Sequence, residues 1–182
     1  MSRIILVRHG QAEAGWNAEL DPGLSELGRR QAASAAEALA TMTPCALVTS
    51  PMRRARETAR PLEEAWQASA RIVDDVGEIL SPIEALEGRG AWLARVMAGS
   101  WDEQEPDVRA WRQRVLDWLA ACDQDTVTFS HFIAINVAVG EATGDRRVMC
   151  FRPDNTSRTV LDVVDGRLHL VELGAEAVTV VQ

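Results

Sequence analysis

Apolar positions alternate along the chain between short unbroken runs and longer stretches in which they recur every three or four residues. The first run, Ile4-Ile5-Leu6-Val7, is aliphatic throughout and stops at Arg8-His9-Gly10, the pattern of a strand covered on both faces and central to a parallel sheet. A polar loop through Asp21-Pro22-Gly23 follows. Ser25 is placed to cap a helix whose apolar positions are Leu27, Ala32, Ala35, Ala36 and Leu39, with Thr43-Pro44 as its stop. Cys45 to Thr49 is a second buried strand. Ser50-Pro51 then has the form of a helix start, a capping hydroxyl followed by proline at the first helical position. Pro61 is expected to break or kink that helix, because it lacks the backbone donor and crowds the preceding turn.

A third strand is expected around Ile72 to Ile79, and residues from about Pro82 to Cys122 are expected to be mostly helical, divided at Gly99-Ser100 and Glu105-Pro106. Trp92, Trp101, Trp111 and Trp118 fall in this stretch. Core packing is the favoured role for them over stacking on a ligand or on a second subunit. Thr126 to Ser130 is another strand, His131 stands at its end, and Phe132 to Ala142 continues as an apolar helix. Arg158 to Val164 and Arg167 to Leu173, separated by Asp165-Gly166, form a hairpin, and Val178 to Val181 adds a possible last strand. Alternating strands and helices predict an α/β fold: a three-layer α/β/α sandwich with a mostly parallel central sheet and an antiparallel C-terminal hairpin. At 182 residues the chain is expected to be a single domain, 1–182, with no repeat or linker.

Composition narrows the chemistry. There are 19 basic and 27 acidic residues, a net charge of −8, which disfavours binding to a nucleic-acid backbone. An anionic substrate then requires a local cationic pocket. Every basic residue is arginine, and there is neither lysine nor tyrosine, so Schiff-base lysine, P-loop lysine and tyrosine-nucleophile chemistries are excluded. Cys45, Cys122 and Cys150 are odd in number and form no CxxC pair, as in a reduced cytoplasmic protein. No signal sequence is evident, and no stretch approaches the roughly 20 apolar residues of a membrane span. Cytoplasmic localisation without a membrane partner is the expectation.

In open α/β sheets ligands bind beyond the carboxyl ends of the strands. His9 and His131 both occupy such ends, whereas His169 lies in the alternating C-terminal hairpin and reads as an ordinary strand side chain. Arg54, one turn into the helix begun at Ser50-Pro51, points back toward the strand ends. There it would join Arg8 in a forked donor set suited to a tetrahedral phosphate. Arg53, Arg56 and Arg60 read as a solvated face.

Leu6-Val7-Arg8-His9-Gly10 resembles the RHG signature of the histidine phosphatase superfamily, the phosphoglycerate mutase-like proteins. Ser50-Pro51-Met52-Arg53-Arg54-Ala55-Arg56-Glu57-Thr58-Ala59 is similar to its second motif, and Ser130-His131 to its third. The resemblance implies that His9 is a nucleophile that is transiently phosphorylated, and that Arg8, Arg54 and His131 form the phosphate pocket. Alignment as S-x-x-x-R-A-x-x-T selects Arg54 among the neighbouring arginines. The family's carboxylic acid after the third strand falls best on Glu78, with Glu84 and Glu87 as weaker candidates. Asn17 corresponds to a phosphate-contacting asparagine, an Asx-turn role being its alternative, and Pro153 to Ser157 is a second polar loop with the same two readings.

These assignments predict in-line attack by a neutral imidazole between cationic donors. Repulsion from Arg8 and Arg54 would keep His9 unprotonated, while Glu78 protonates the leaving group and then activates water. No metal or other cofactor is called for, and activity should survive excess chelator. The implied partner is a small phosphorylated metabolite or a phosphoprotein. A mutase-like phosphoryl transferase and a catalytically silent phosphoanion-binding module are the alternatives. Departures from the family pattern stand at Gln11, Phe132 and Asn136, where Glu, Gly and Arg are frequent, and bear on how the rest of a substrate is recognised.

Overall fold

The computed structural model describes residues 1–15 and 17–177; the expected strand at Val178 to Val181 lies outside them. Strands β1 (Ser2–Arg8), β2 (Ala46–Thr49), β3 (Arg71–Ile72), β4 (Thr126–Ser130), β5 (Arg158–Val164) and β6 (Arg167–Glu172) form one sheet in the order β3-β2-β4-β1-β5-β6. The β3, β2, β4 and β1 strands run parallel, and β5 and β6 are antiparallel additions beside β1. Helices α1 (Glu26–Leu39), α2 (Arg53–Trp66), α3 (Leu86–Ala98), α4 (Pro106–Ala120) and α5 (Phe132–Thr143) cover both faces.

The pleat of β1 shows why the layers form. Ile5 and Val7 face one side, where they pack with Ala36 and Leu39 of α1, Ala59 and Leu62 of α2, and Phe129. Ile4 and Leu6 face the other, where α3, α4 and α5 contribute Trp92, Trp111, Leu119 and Ile135. A strand with both faces covered has no need of polar alternation, which accounts for the continuous aliphatic run. Trp92, Trp101 and Trp111 are buried in this second core, and Trp118 packs against it. The core-packing expectation for the tryptophans therefore holds.

Two local expectations are corrected. The third strand is only Arg71–Ile72, both exposed; a 3-10 turn at Asp74–Val76 follows, and Gly77 to Ile79 is buried loop. Helix α2 runs through Pro61 without a break. One backbone donor is lost there, but Ala55, Thr58, Ala59 and Leu62 remain a continuous buried face, and tertiary packing outweighs the local cost. The hairpin turn is as expected, with Asp165 and Gly166 both at positive φ, 51° and 73°, the backbone of a type I′ turn.

Candidate active site

Three adjacent parallel strands end in polar residues, and their register brings those residues into one row. Arg8 is paired with Ser130, His9 N donates to Ser130 O at 3.0 Å, and Ser50 N donates to Phe129 O at 3.0 Å. His9, His131 and Ser50 are thus the first residues beyond β1, β4 and β2. The two imidazole centroids are 5.1 Å apart.

His9 is held on both sides. Its Nδ1 lies 2.7 Å from Gly10 O, an acceptor only, so Nδ1 carries the proton and Nε2 keeps its lone pair. Arg54 Nε donates to that Nε2 at 3.3 Å. Gly10 is required by close approach: a Cβ there would stand 2.6 Å from Gly28 O. Its N–H donates to Thr58 Oγ1 at 3.0 Å, and Thr58 in turn donates to Arg54 O. One threonine therefore ties the histidine loop to the arginine helix.

Arg54 sits in the first turn of α2, 7 % exposed, with its guanidinium at the strand ends. Arg53 points away, pairing with Glu57 and Glu13. Asp21 Oδ1 receives Arg53 N, which caps the helix from the preceding loop. This corrects the expected capping by Ser50: the helix begins at Arg53, and Ser50 Oγ instead accepts Met52 N at 3.2 Å and lies 2.7 Å from His131 Nε2. The serine belongs to the site.

Arg8 donates from one terminal nitrogen to Pro153 O at 2.8 Å and stands over the Phe132 ring, 5.1 Å from its centroid. Its Nε is buried without a partner. The Pro153 to Ser157 loop also grips β1 directly, since Asn155 Nδ2 donates to His9 O and Thr156 N to Arg8 O.

Glu78 is 5 % exposed. Its carboxylate accepts Ile79 N and Ile133 N, both at 3.1 Å; the second is a free amide of the first turn of α5, which His131 itself does not cap. Ser130 Oγ donates to Val76 O and pins the segment to β4. Burial raises the Glu78 pKa, opposed by the two amide bonds and by the charges of Arg54 and Arg8. Burial, then Arg54 and Arg8, hold His9 well below its ordinary value. His131 is depressed likewise, by burial and then Arg54, His9 and Arg8. Two neutral imidazoles, the buried Arg54 and the half-buried Arg8 against one carboxyl leave the cluster cationic, complementary to a phosphoryl dianion within a net-negative chain.

The structure brings together Arg8, His9, Arg54, Glu78 and His131, and adds Ser50, Phe132 and Asn155. It does not bring Asn17 to the cluster: Asn17 is exposed and its Oδ1 accepts Gly90 N of α3 at 2.8 Å. Glu84 and Glu87 are exposed. Asn136 is fully buried and accepts the backbone N–H groups of Cys150 and Phe151, so it anchors the loop that leads to Pro153. Gln11 joins Ser25 and Gln31 of α1. Among the described residues no group of three or more His, Cys, Asp or Glu is placed to hold a metal ion, and no helix is long and apolar enough to cross a membrane.

Strand-end histidines flanked by Arg54 and Arg8 on a doubly covered sheet define an α/β fold with a cationic site at the strand ends. The chain belongs to the histidine phosphatase superfamily (branch 1), whose model matches residues 4–176. The glucosyl-3-phosphoglycerate phosphatase of Mycolicibacterium vanbaalenii is 49 % identical over 61 residues, 31 % of this chain and 27 % of that protein. Phosphoserine phosphatase 1 of Hydrogenobacter thermophilus is 30 % identical over 117 residues, 61 % of this chain and 51 % of its own. The matched segments thus span about a quarter to a half of these relatives. The solved structure of a mycobacterial glucosyl-3-phosphoglycerate phosphatase superposes with a TM-score of 0.71 at 26 % identity, covering 97 % of this chain and all of that one.

Proposed function

We propose that the chain is a phosphomonoester hydrolase that works through a phosphohistidine on His9, without a metal ion, on a small phosphorylated metabolite. The observation that carries this is the fixed polarity of His9: Nδ1–H is committed to Gly10 O, and the Nε2 lone pair faces the Arg54 guanidinium. An arriving phosphoryl group would take over the Arg54 donor and present phosphorus to Nε2. Arg8, Arg54 and His131 would bear the charge on its equatorial oxygens. Glu78, held toward its protonated form by burial, would give its proton to the departing alkoxide and then take one from the water that attacks phosphohistidine. The Nε2–P bond forms as the ester P–O bond breaks; water then breaks Nε2–P and releases phosphate.

The names of the relatives support a small phosphorylated organic acid or glycoside as substrate. Phe132 and Asn136, expected to bear on substrate recognition, are buried and pack against Arg8 and the 150–151 backbone. The test is phosphate release from a panel of phosphomonoesters in excess chelator, with His9→Ala in parallel and acid-labile, base-stable labelling of His9 as the direct readout. Release that disappears with His9 is expected. Release that persists in the variant, or that requires added divalent metal, would overturn the assignment.

A further inference from the structure

The hydrogen-bond inventory around Ser50 favours one of two arrangements. Ser50 is fully buried, and its hydroxyl offers one proton and two acceptor sites. Met52 N–H donates to one acceptor site. The remaining contact is His131 Nε2 at 2.7 Å, while His131 Nδ1 is buried with no partner at all. If Nε2 carried the imidazole proton and donated to Ser50, two groups would be stranded: the Ser50 proton and an Nδ1 lone pair. If Ser50 donates to Nε2, the serine is satisfied and the only unpaired group is an Nδ1–H. Leaving a buried polar group unpaired costs on the order of 1–3 kcal/mol, so the second arrangement is preferred. A donor left unpaired beside the charges of Arg54 and Arg8 is the group that a phosphoryl oxygen would satisfy.

We propose that Ser50 is a positioning residue that sets His131 in its Nδ1–H tautomer, so that the ring meets a phosphoryl oxygen as a neutral hydrogen-bond donor. His9 and His131 then share a tautomer but have opposite duties. In His9 the Nδ1–H is spent on Gly10 O and the Nε2 lone pair is free for phosphorus; in His131 the Nε2 lone pair is spent on Ser50 and Nδ1–H is free for oxygen. The difference comes from the partner each ring meets, an obligate acceptor in one case and a hydroxyl with its proton to give in the other. A serine that looks like a helix cap in the sequence is thereby assigned to the site.

The tautomer claim rests on the same site as the proposed hydrolase but is measured without turnover. Nitrogen-15 spectra of histidine-labelled wild-type protein near neutral pH are expected to show His131 protonated at Nδ1, and the spectrum is repeated with saturating inorganic phosphate. A proton on Nε2 overturns the proposal whatever the activity. In Ser50→Ala the Nε2–H form should appear, inorganic phosphate should bind less tightly, and kcat/KM should fall about tenfold to a hundredfold, at or below the low end of the range seen on losing one oxyanion donor. Ser50→Thr, which keeps the hydroxyl, should restore the Nδ1–H signature. An Ser50→Ala protein with the wild-type tautomer and phosphate affinity would also overturn it, and the wild-type spectrum decides the matter should the variant fail to fold. Inactivity toward every ester with the Nδ1–H tautomer intact would count against the hydrolase alone.

Discussion

Arg54 Nε donates to His9 Nε2 at 3.3 Å, so the cation that would hold a phosphoryl oxygen rests on the nitrogen that would attack phosphorus. The contact keeps the lone pair aimed and opposes its protonation, because a second positive charge would have to form beside a buried guanidinium. Arg54→Ala should therefore raise the His9 pKa toward its ordinary value, read by NMR titration, and lower kcat/KM about a hundredfold or more. Arg54→Lys should keep the low His9 pKa and still lose most activity, since a point charge does not supply the planar fork. A Lys variant as active as wild type would show that charge alone suffices.

Both site histidines bear on stability through pH. Their folded pKa values lie well below the ordinary 6.5, so between those values the unfolded chain binds protons that the folded one does not. The stabilising contribution is full above about pH 6.5 and is lost as pH falls, at up to about 1.4 kcal/mol per pH unit for each histidine. Glu78 acts in the opposite sense, because its folded pKa is raised. Urea unfolding at pH 7.5, 6.5 and 5.5 should show the decline, and His131→Gln should flatten it. A midpoint independent of pH in both wild type and Glu78→Gln, which removes the opposing carboxyl, would mean that the imidazoles charge freely when folded.

Glu78 joins the acid role to the start of α5. Its pKa shift means that a folded-state contribution present below the carboxylate range is lost as pH rises through the folded value. Glu78→Gln, which cannot ionise, should thus gain stability relative to wild type as pH rises from 5 to 8. Its activity should fall far more on alkyl phosphates, whose leaving alkoxide needs a proton, than on aryl phosphates. Equal losses on both would move the acid elsewhere, while a stability difference independent of pH would leave the carboxyl ionised throughout.

Where the sequence was legible, one short-range pattern determined the answer. The aliphatic run at 4–7 and the β-branched and aromatic run Thr126-Val127-Thr128-Phe129 both read as strands, and their parallel register sets His9 beside His131. Arg54, on the first turn of a helix, needed only the backward tilt of helical side chains. The failures all depended on partners distant in the chain. Ser50 reads as a cap until His131, 81 residues away, is seen to claim its hydroxyl. The 72–79 segment is apolar enough for a strand but is pinned through Val76 O by Ser130 instead. Asn17, matched by resemblance to a phosphate-contacting asparagine, accepts the Gly90 amide 73 residues away, a contact no local spacing encodes.

Phe132 is buried at the first position of α5, and its ring faces the Arg8 guanidinium at 5.1 Å. The Arg8 guanidinium otherwise has a single hydrogen bond, to Pro153 O, so the ring is the surface against which the cation is set. Stacking orients a guanidinium without consuming its donors, which leaves the others free for phosphate. Phe132→Leu keeps an apolar side chain of similar bulk and should cost less than about 1.5 kcal/mol of stability. It removes the aromatic face, however, and phosphate affinity should weaken roughly three- to tenfold, matching a cation–π contribution of about 0.5–1.5 kcal/mol. Because Arg8 would act on ground state and transition state alike, the loss should appear in KM and in the inhibition constant of inorganic phosphate, with kcat nearly unchanged. A fall in kcat with unaltered phosphate affinity would instead place the effect at the Glu78 bond to Ile133, the residue that follows Phe132 in the same turn.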